Sequence, residues 1–336
     1  MCWRFILTIL CLCCFELTPA ESLAQTKTEG VNEKESPKPR AQKNKARKKN
    51  KKVEERKYAS FREAQTAGYE LKNAGKLEAS RKAYEAALAF DSTTREKCEV
   101  YRELISIYPE LGEWESMYMA TEYIVENAPY PAFSSLSVRS MNSQVYRKKK
   151  QDELFSRYEA KLESNPKDRT TLIILESAVG QLIHDMPRQA DYLRRLIELD
   201  VEEGKAPDPD MQTELAFALN LSDKEVESAE LYESIATSHA DFRSYCLAQA
   251  AESWQRAGES EKSLAAATEA STLGPDVRAN RSLYNWHRLL GDLFIKHLVK
   301  DLAKKHYTAA LEYANIDAYR DQCREQLRLV EALKDE

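Results

Sequence analysis

The sequence predicts an all-α protein: an α-solenoid of about seven helix-turn-helix hairpins closed by a C-terminal capping helix. Three observations lead there. From about residue 58 apolar side chains recur at helical spacing, and no long alternation of period two appears. Only 9 glycines occur in 336 residues, which disfavours a loop-rich β protein or a phosphate-cradling enzyme. Helical pairs begin near residues 61, 98, 135, 171, 210, 244 and 284, separated by 37, 37, 36, 39, 34 and 40 residues. A chain of this length holds two ordinary domains or one extended stack, since a solenoid is not limited by a single core.

The first pair sets the register. Phe61 to Ser92 reads FREAQTAGYELKNAGKLEASRKAYEAALAFDS, two helical patterns joined at Asn73-Ala74-Gly75. Ala67, Gly68 and Leu71 share one face of the first helix; Ser80, Tyr84, Ala87 and Leu88 share one face of the second. Small residues where the faces meet let the helices approach closely, and Tyr84 and Leu88 fill the space beside them. Such a hairpin cannot bury its apolar face alone, so hairpins must stack.

The later units follow in order. The second carries Leu104 and Tyr108, a turn at Gly112 and Trp114, then Met117, Thr121, Ile124 and Pro129. The third has Met141 and Val145, then Leu154, Tyr158, Leu162 and Pro166. The fourth, with Ala178, Ala190 and Ile197, and the fifth, with Ala216, Ala229 and Ala236, are more degenerate. The sixth is clear again through Ala250, Ala251, Trp254, Gly258, Ser263, Ala267, Ala270 and Pro275. The seventh, with Leu290, Gly291, Phe294, Ala303, Tyr307, Ala310 and Leu311, is as regular as the first. Ala318 to Lys334 forms one more helix, with Leu327, Val330 and Leu333 inward and Arg320, Arg324 and Arg328 outward. A polar-faced last helix closes the final apolar surface of a stack.

This pattern of small, aromatic and proline positions resembles the tetratricopeptide repeat, a unit of about 34 residues. The resemblance covers most of the chain and implies a right-handed solenoid that works as an interaction scaffold. It departs from the family where a tryptophan is usual near the unit start: Ala64, Tyr101, Leu247 and His287 hold that slot. In the family the first helix of each unit lines a concave groove that accepts peptides. Carried over, that geometry makes Arg62, Tyr69, Arg102, Arg139, Tyr146 and Arg288 the groove candidates. Some members clamp a peptide's terminal carboxylate with Lys, Asn and Arg. The matching positions here are Gln65, Tyr69, Glu103, Leu136 and Ser140, so that clamp is absent.

Ahead of the repeats the composition changes twice. Arg4 and the 11-residue apolar stretch Phe5 to Phe15, followed by Thr18-Pro19-Ala20 and Ser22-Leu23-Ala24, read as an export signal, 1–24. An apolar run of that length is short of the roughly 20 residues that span a bilayer; an uncleaved anchor is the alternative. Leu10, Leu12 and Cys13, which precede Cys11, Cys13 and Cys14, exclude a lipoprotein site. Residues 25–57 are poor in apolar side chains and rich in Lys, Glu, Asn and Pro, the composition of a disordered arm. Lys27 to Lys57 holds 13 basic and 5 acidic residues, and Arg4, Glu16 and Glu21 leave −1 on the residues before it, so the total charge of −5 leaves −12 on the body, 58–336. Lys43, Lys45, Arg47, Lys48, Lys49, Lys51 and Lys52 are candidates for contact with lipid head groups or an acidic envelope polymer. A solvated spacer is the competing reading. Nucleic acid is disfavoured, because no aromatic residue interrupts the run to stack on bases.

No catalytic constellation stands out. His184, His239, His287, His297 and His306 never fall at i, i+4 or in HExxH, and no GxSxG or phosphate loop occurs. Cys98, Cys246 and Cys323 are far apart, with no CxxC, and read as small buried or half-buried helix residues. Tyr84, Tyr158, Tyr307, Trp254 and Phe294 occupy repeat-defining positions and read as core; Trp286 does not. The expectation is an exported, non-enzymatic adaptor of the cell envelope, without cofactor or metal, that binds a protein or peptide on its groove. The alternative is a binder of an anionic polymer or membrane surface through the basic arm.

Overall fold

The computed structural model describes residues 57–333. The export-signal region and the basic run from Lys43 to Lys52 lie outside them. Fifteen α-helices occur in the described residues, and no strand does. They pair as α1 (Phe61–Asn73) with α2 (Leu77–Leu88), α3 (Thr94–Leu111) with α4 (Trp114–Asn127), and α5 (Pro131–Arg147) with α6 (Gln151–Ser164). Then come α7 (Arg169–Ala178) with α8 (Met186–Glu202), α9 (Pro209–Asn220) with α10 (Glu225–Ser238), and α11 (Arg243–Arg256) with α12 (Ser260–Leu273). The seventh pair is α13 (Leu283–Lys296) with α14 (Lys300–Tyr313), and α15 (Asp317–Ala332) closes the stack. The expected all-α solenoid of seven hairpins with a capping helix is what the chain forms.

The helix starts expected near 98 and 135 fall too late. Thr93 and Glu96 make a reciprocal capping box that starts α3 at Thr94. Pro131, whose missing N–H costs nothing in a first turn, starts α5. The other five starts lie within two residues of the expected ones.

Each hairpin turns through one residue with positive φ. These are Gly75, Gly112, Lys149, His184, Asp223, Gly258 and Leu298, so the turn itself repeats with the hairpin. In six turns the next N–H reaches back to the carbonyl five residues earlier, as from Glu113 to Tyr108 and from Val299 to Phe294, which caps the first helix. The fourth differs. There a π turn over Val179–Ile183 lengthens the end of α7 before His184 reverses the chain. An extra residue in that turn accounts for the degenerate look of this unit in the sequence.

Within a hairpin the helices meet through small residues and one repeated hydrogen bond. Ser80, Ser228 and Ser263 donate their hydroxyls to the carbonyls of Gly68, Ala216 and Ala251, each 12 residues earlier, at 2.7, 2.7 and 2.8 Å. The hydroxyl thus finds its acceptor inside the contact and leaves no buried polar atom unpaired. Tyr84, Tyr158, Tyr232 and Tyr307 lie one turn further along their second helices and are buried. Two large apolar clusters run through the stack, one from Ala64 to Leu199 and one from Ala216 to Val330. Ala190, Leu193, Leu215, Ala218 and Leu219 form a smaller one at the junction of α8, α9 and α10. No single long-range centre exists; burial is passed from hairpin to hairpin.

The three repeat cysteines are buried and free, as small helix residues should be. In α15 Val330 is buried and Leu327 and Leu333 are half-buried, while Arg324 and Arg328 face solvent. Cys323 adds a fourth inward position, packing with Tyr284, Ala310 and Ala314.

Candidate functional site: the inner face of the solenoid

The curvature of the stack is recorded by an ion pair that skips a hairpin. Arg278 and Arg281, just ahead of α13, both reach Asp210 at the start of α9, although α11 and α12 lie between in sequence. The starts of first helices two units apart can meet only if the first-helix side is the inner side of a curve. Second helices face outward. Several of their charges are tied into bridges between neighbouring hairpins: Arg157 and Lys161 of α6 to Glu122 of α4, Arg188 of α8 to Glu159 of α6, and Arg194 of α8 to Glu227 of α10.

One side chain per first helix lies on the inner face, six to ten positions ahead of its hairpin's turn residue and so within about one helical turn of a common level. The row reads Tyr69, Arg102, Arg139, Glu176, Glu214, Glu252 and Asp292, at intervals of 33, 37, 37, 38, 38 and 40 residues. Its charge reverses between α5 and α7. Tyr69 and Arg102 are exposed, and the Arg102 guanidinium lies 5.0 Å from the centre of the Phe133 ring. Arg139 is half-buried. Glu176 accepts a hydrogen bond of 2.6 Å from the Gln189 side chain, which itself fills the space beside Gly180.

Burial pushes the Glu176 carboxyl up to about 7; the charge of Glu214 adds to this, while Gln189 and Arg139 oppose it. Burial raises Glu214 as well, against the pull of Arg278 and Arg139. It also raises Glu252, against Arg256, Lys296 and Arg288. Protein crowding on the inside of a curve removes part of the water from Glu176 and Glu252, which are half-buried, and less from Glu214, which is exposed, and penalises their charge accordingly.

Of the groove candidates read from the sequence, Arg62 and Tyr69 lie exposed on α1, Arg102 on α3 and Tyr146 on α5. Arg288 sits on α13, half-buried, and its guanidinium pairs with Asp292 at 2.8 Å. The six do not converge on one point; they are spread along the stack. The glutamates that continue the row were missed by sequence reasoning, which favoured arginine and tyrosine. A search for any charged side chain on the same face of each first helix, instead of for arginine and tyrosine, would have found Glu176, Glu214 and Glu252.

A second cluster joins residues that sequence spacing kept apart. Nδ1 of His287 (α13) lies 3.0 Å from Nδ1 of His306 (α14), and His306 Nε2 lies 2.8 Å from the Ser271 hydroxyl (α12). Trp286 packs edge-on to both imidazoles, and its buried indole N–H has no hydrogen-bond partner. The undecided Trp286 is thus an interior residue. Burial and the nearby Lys305 lower His287 to about 4; burial, His287 and Lys305 lower His306 to about 3.

Among the described residues no group of three or more His, Cys, Asp or Glu side chains is arranged to hold a metal ion, and no helix is long and apolar enough to cross a membrane. Two of the more pronounced surface depressions, one on the outer face of α12 beside Leu264 and Thr268 and one along α1 beside Arg62 and Thr66, are wide open.

No protein-family model matches the chain, and no curated protein does. Among solved structures it is similar to a tetratricopeptide repeat protein from Parabacteroides merdae, at 12% identity over 81% of this chain and 98% of that one, with a TM-score of 0.41. It is also similar to the human IFIT1 dimer, at 13% identity over 83% of this chain and 69% of that one, with a TM-score of 0.36. Likenesses this distant say nothing of activity. The class of protein, an α-solenoid of tetratricopeptide-like hairpins with an inner groove, stands on the seven hairpins themselves.

Proposed function

We propose that the chain is a non-catalytic scaffold that holds a polypeptide partner along the groove formed by its first helices. One observation carries this reading. Each first helix places one side chain on the inner face, and in the C-terminal half Glu214 and Glu252 make neither a side-chain hydrogen bond nor an ion pair among the described residues. Several charges of the second helices, by contrast, are tied into bridges within the stack. A face with a repeated, unused set of polar groups suits a ligand that is itself repetitive, and a polypeptide backbone is one.

The export-like N-terminal sequence supports reading this adaptor as a component of the cell envelope. Terminal sequencing of protein from its native host tests that part: a start near Gln25 or Glu21 supports it, and an intact Met1 on a soluble cytosolic protein rejects it. The groove itself is tested by photo-cross-linking in the host. A reactive group at Phe217, exposed on α9, should capture a discrete partner that the same group at Thr268, on the outer face of α12, does not. Equal capture from both positions rejects the groove.

A further inference from the structure

We infer that the C-terminal half of the groove is built for a cationic polypeptide segment, whose lysine or arginine side chains reach Glu176, Glu214 and Glu252. This deepens the groove reading and rests on it.

The argument starts from which charges are already matched. Arg278 and Arg281 are committed to Asp210, and Arg288 is committed to Asp292. Arg256 leans toward Glu225 at 3.9 Å. Arg278, Arg288 and Arg256, together with Arg139 and Lys296, pull on the three glutamates through space. Among the described residues the Glu176 carboxyl accepts from the neutral Gln189 amide, and Glu214 and Glu252 have no hydrogen-bonding partner. A carboxylate left in a dehydrated concavity gains more from an arriving ammonium or guanidinium than one on an open surface. The upward push on all three carboxyls has the same origin, although Glu214 keeps enough exposure for solvent to screen part of its share.

A second feature of the same face points to side chains with apolar stems. Phe217 on α9 and Leu221 at its C-cap follow Glu214 at i+3 and i+7, and both are exposed. A lysine or arginine reaching Glu214 would lay its methylenes over them while its charged head stays at the carboxylate. The run of acid also has an end. Arg102 and Arg139 lie on the same face of α3 and α5, so a cationic stretch extending past α7 would meet like charge. The favoured segment is short and basic.

The test uses the full-length protein and two labelled nine-residue peptides, one of lysine and alanine and its glutamate counterpart. The lysine peptide should bind and the glutamate peptide should not. The double variant E214Q/E252Q should weaken lysine-peptide binding about tenfold or more. The outer-face double variant E230Q/E261Q, which removes the same net charge at exposed positions without ion pairs, should change it less than about twofold. Circular dichroism melts of both variants establish that they fold. Equal losses from the two double variants would reduce the effect to net charge and overturn the inference, as would preference for the glutamate peptide. If the lysine peptide fails to bind while a cross-linker at Phe217 still captures a partner, the groove stands and its cationic ligand falls. If position 217 captures nothing either, both fall together.

Discussion

The ring of Tyr84 lies so close to the backbone of Gly68 that a Cβ on that glycine would stand 2.8 Å from two of its ring carbons. Tyr84 is only 1% exposed, so it cannot swing aside without opening the first hairpin. Helix propensity favours Gly68→Ala by about 1 kcal/mol. The clash opposes it by about 1–3 kcal/mol, because the displaced atoms belong to a packed ring. Gly68→Ala should therefore lower the urea midpoint. At Gly291, where the same ring position is held by Tyr307 at 3.0 Å, the loss should be smaller. Trimming Tyr84 to leucine in the Gly68→Ala background should recover part of the difference, and a failure to do so would mean that the ring is not the obstacle.

Leu298 turns the seventh hairpin with φ of 59°, a conformation that glycine adopts freely in the equivalent turns at Gly112 and Gly258. Its side chain is 64% exposed, so little burial is lost on removing it. The left-handed region costs a β-carbon about 1–2 kcal/mol, of which glycine's greater freedom when unfolded takes back a part. Leu298→Gly should stabilise the chain by about 0.5–1 kcal/mol, seen as a higher melting temperature. Gly112→Ala should lose a similar amount, and a destabilised Leu298→Gly would show that the leucine packs more usefully than its exposure suggests.

Much of the fold was legible because each hairpin announces itself locally. Ser80 against Gly68 and Ala303 against Gly291 obey the same 12-residue offset, and a periodic reading finds such offsets without coordinates. Capping was legible too, but passed over: Thr93 and Glu96 are three residues apart in plain view. Other relationships have no local trace. His287 and His306 meet through the side-by-side packing of α13 and α14, at a separation of 19 residues that fits neither a helical turn nor a metal motif. The pairing of Arg281 with Asp210, 71 residues apart, depends on how far the whole stack bends, which no single unit encodes. The inner row falls between these extremes. Its members share one face of the first helices, but a change of charge along it hides the continuity from a search by residue type.

The small-residue slot of the second helices offers a direct check of register. Ala310 is fully buried, in the position that Ala87 and Ala270 hold in their own units, and it packs with Tyr284, Ala314 and Cys323. Three added methylenes and methyls in that contact should cost about 1–3 kcal/mol by forcing neighbours off their rotamers. Ala318, exposed near the start of α15, should tolerate leucine at a small fraction of that. Hydrogen exchange should show the damage confined to α13, α14 and α15, with α1 to α4 still protected, since each repeat touches only its neighbours. Equal effects at the two alanines would place the seventh unit in a different register.

Acidification should loosen the C-terminal end of the stack while sparing its centre. Unfolded, His287 and His306 take up protons near pH 6.5; folded, they resist protonation down to about 4 and 3. A depressed folded pKa means stability that is fully present above 6.5 and is lost as pH falls from there toward the folded values. Lys305 acts on both imidazoles and adds to the resistance. Glu176 has the opposite sign. Its carboxyl titrates near 4.5 when unfolded and about 7 when folded, so its contribution is complete below 4.5 and is lost as pH rises through 7. Between pH 7 and 5 the two sites therefore pull in opposite directions: protection of α13 and α14 should fall, and that of α7 and α8 should hold or rise. Amide exchange at the two pH values, corrected for the intrinsic rate, reads this directly. Replacing both histidines with glutamine should remove most of the acid sensitivity from α13 and α14 without touching α7. Uniform loss of protection along the whole chain, or an unchanged response in the glutamine variant, would assign acid sensitivity to the general titration of surface carboxylates instead of the buried pair.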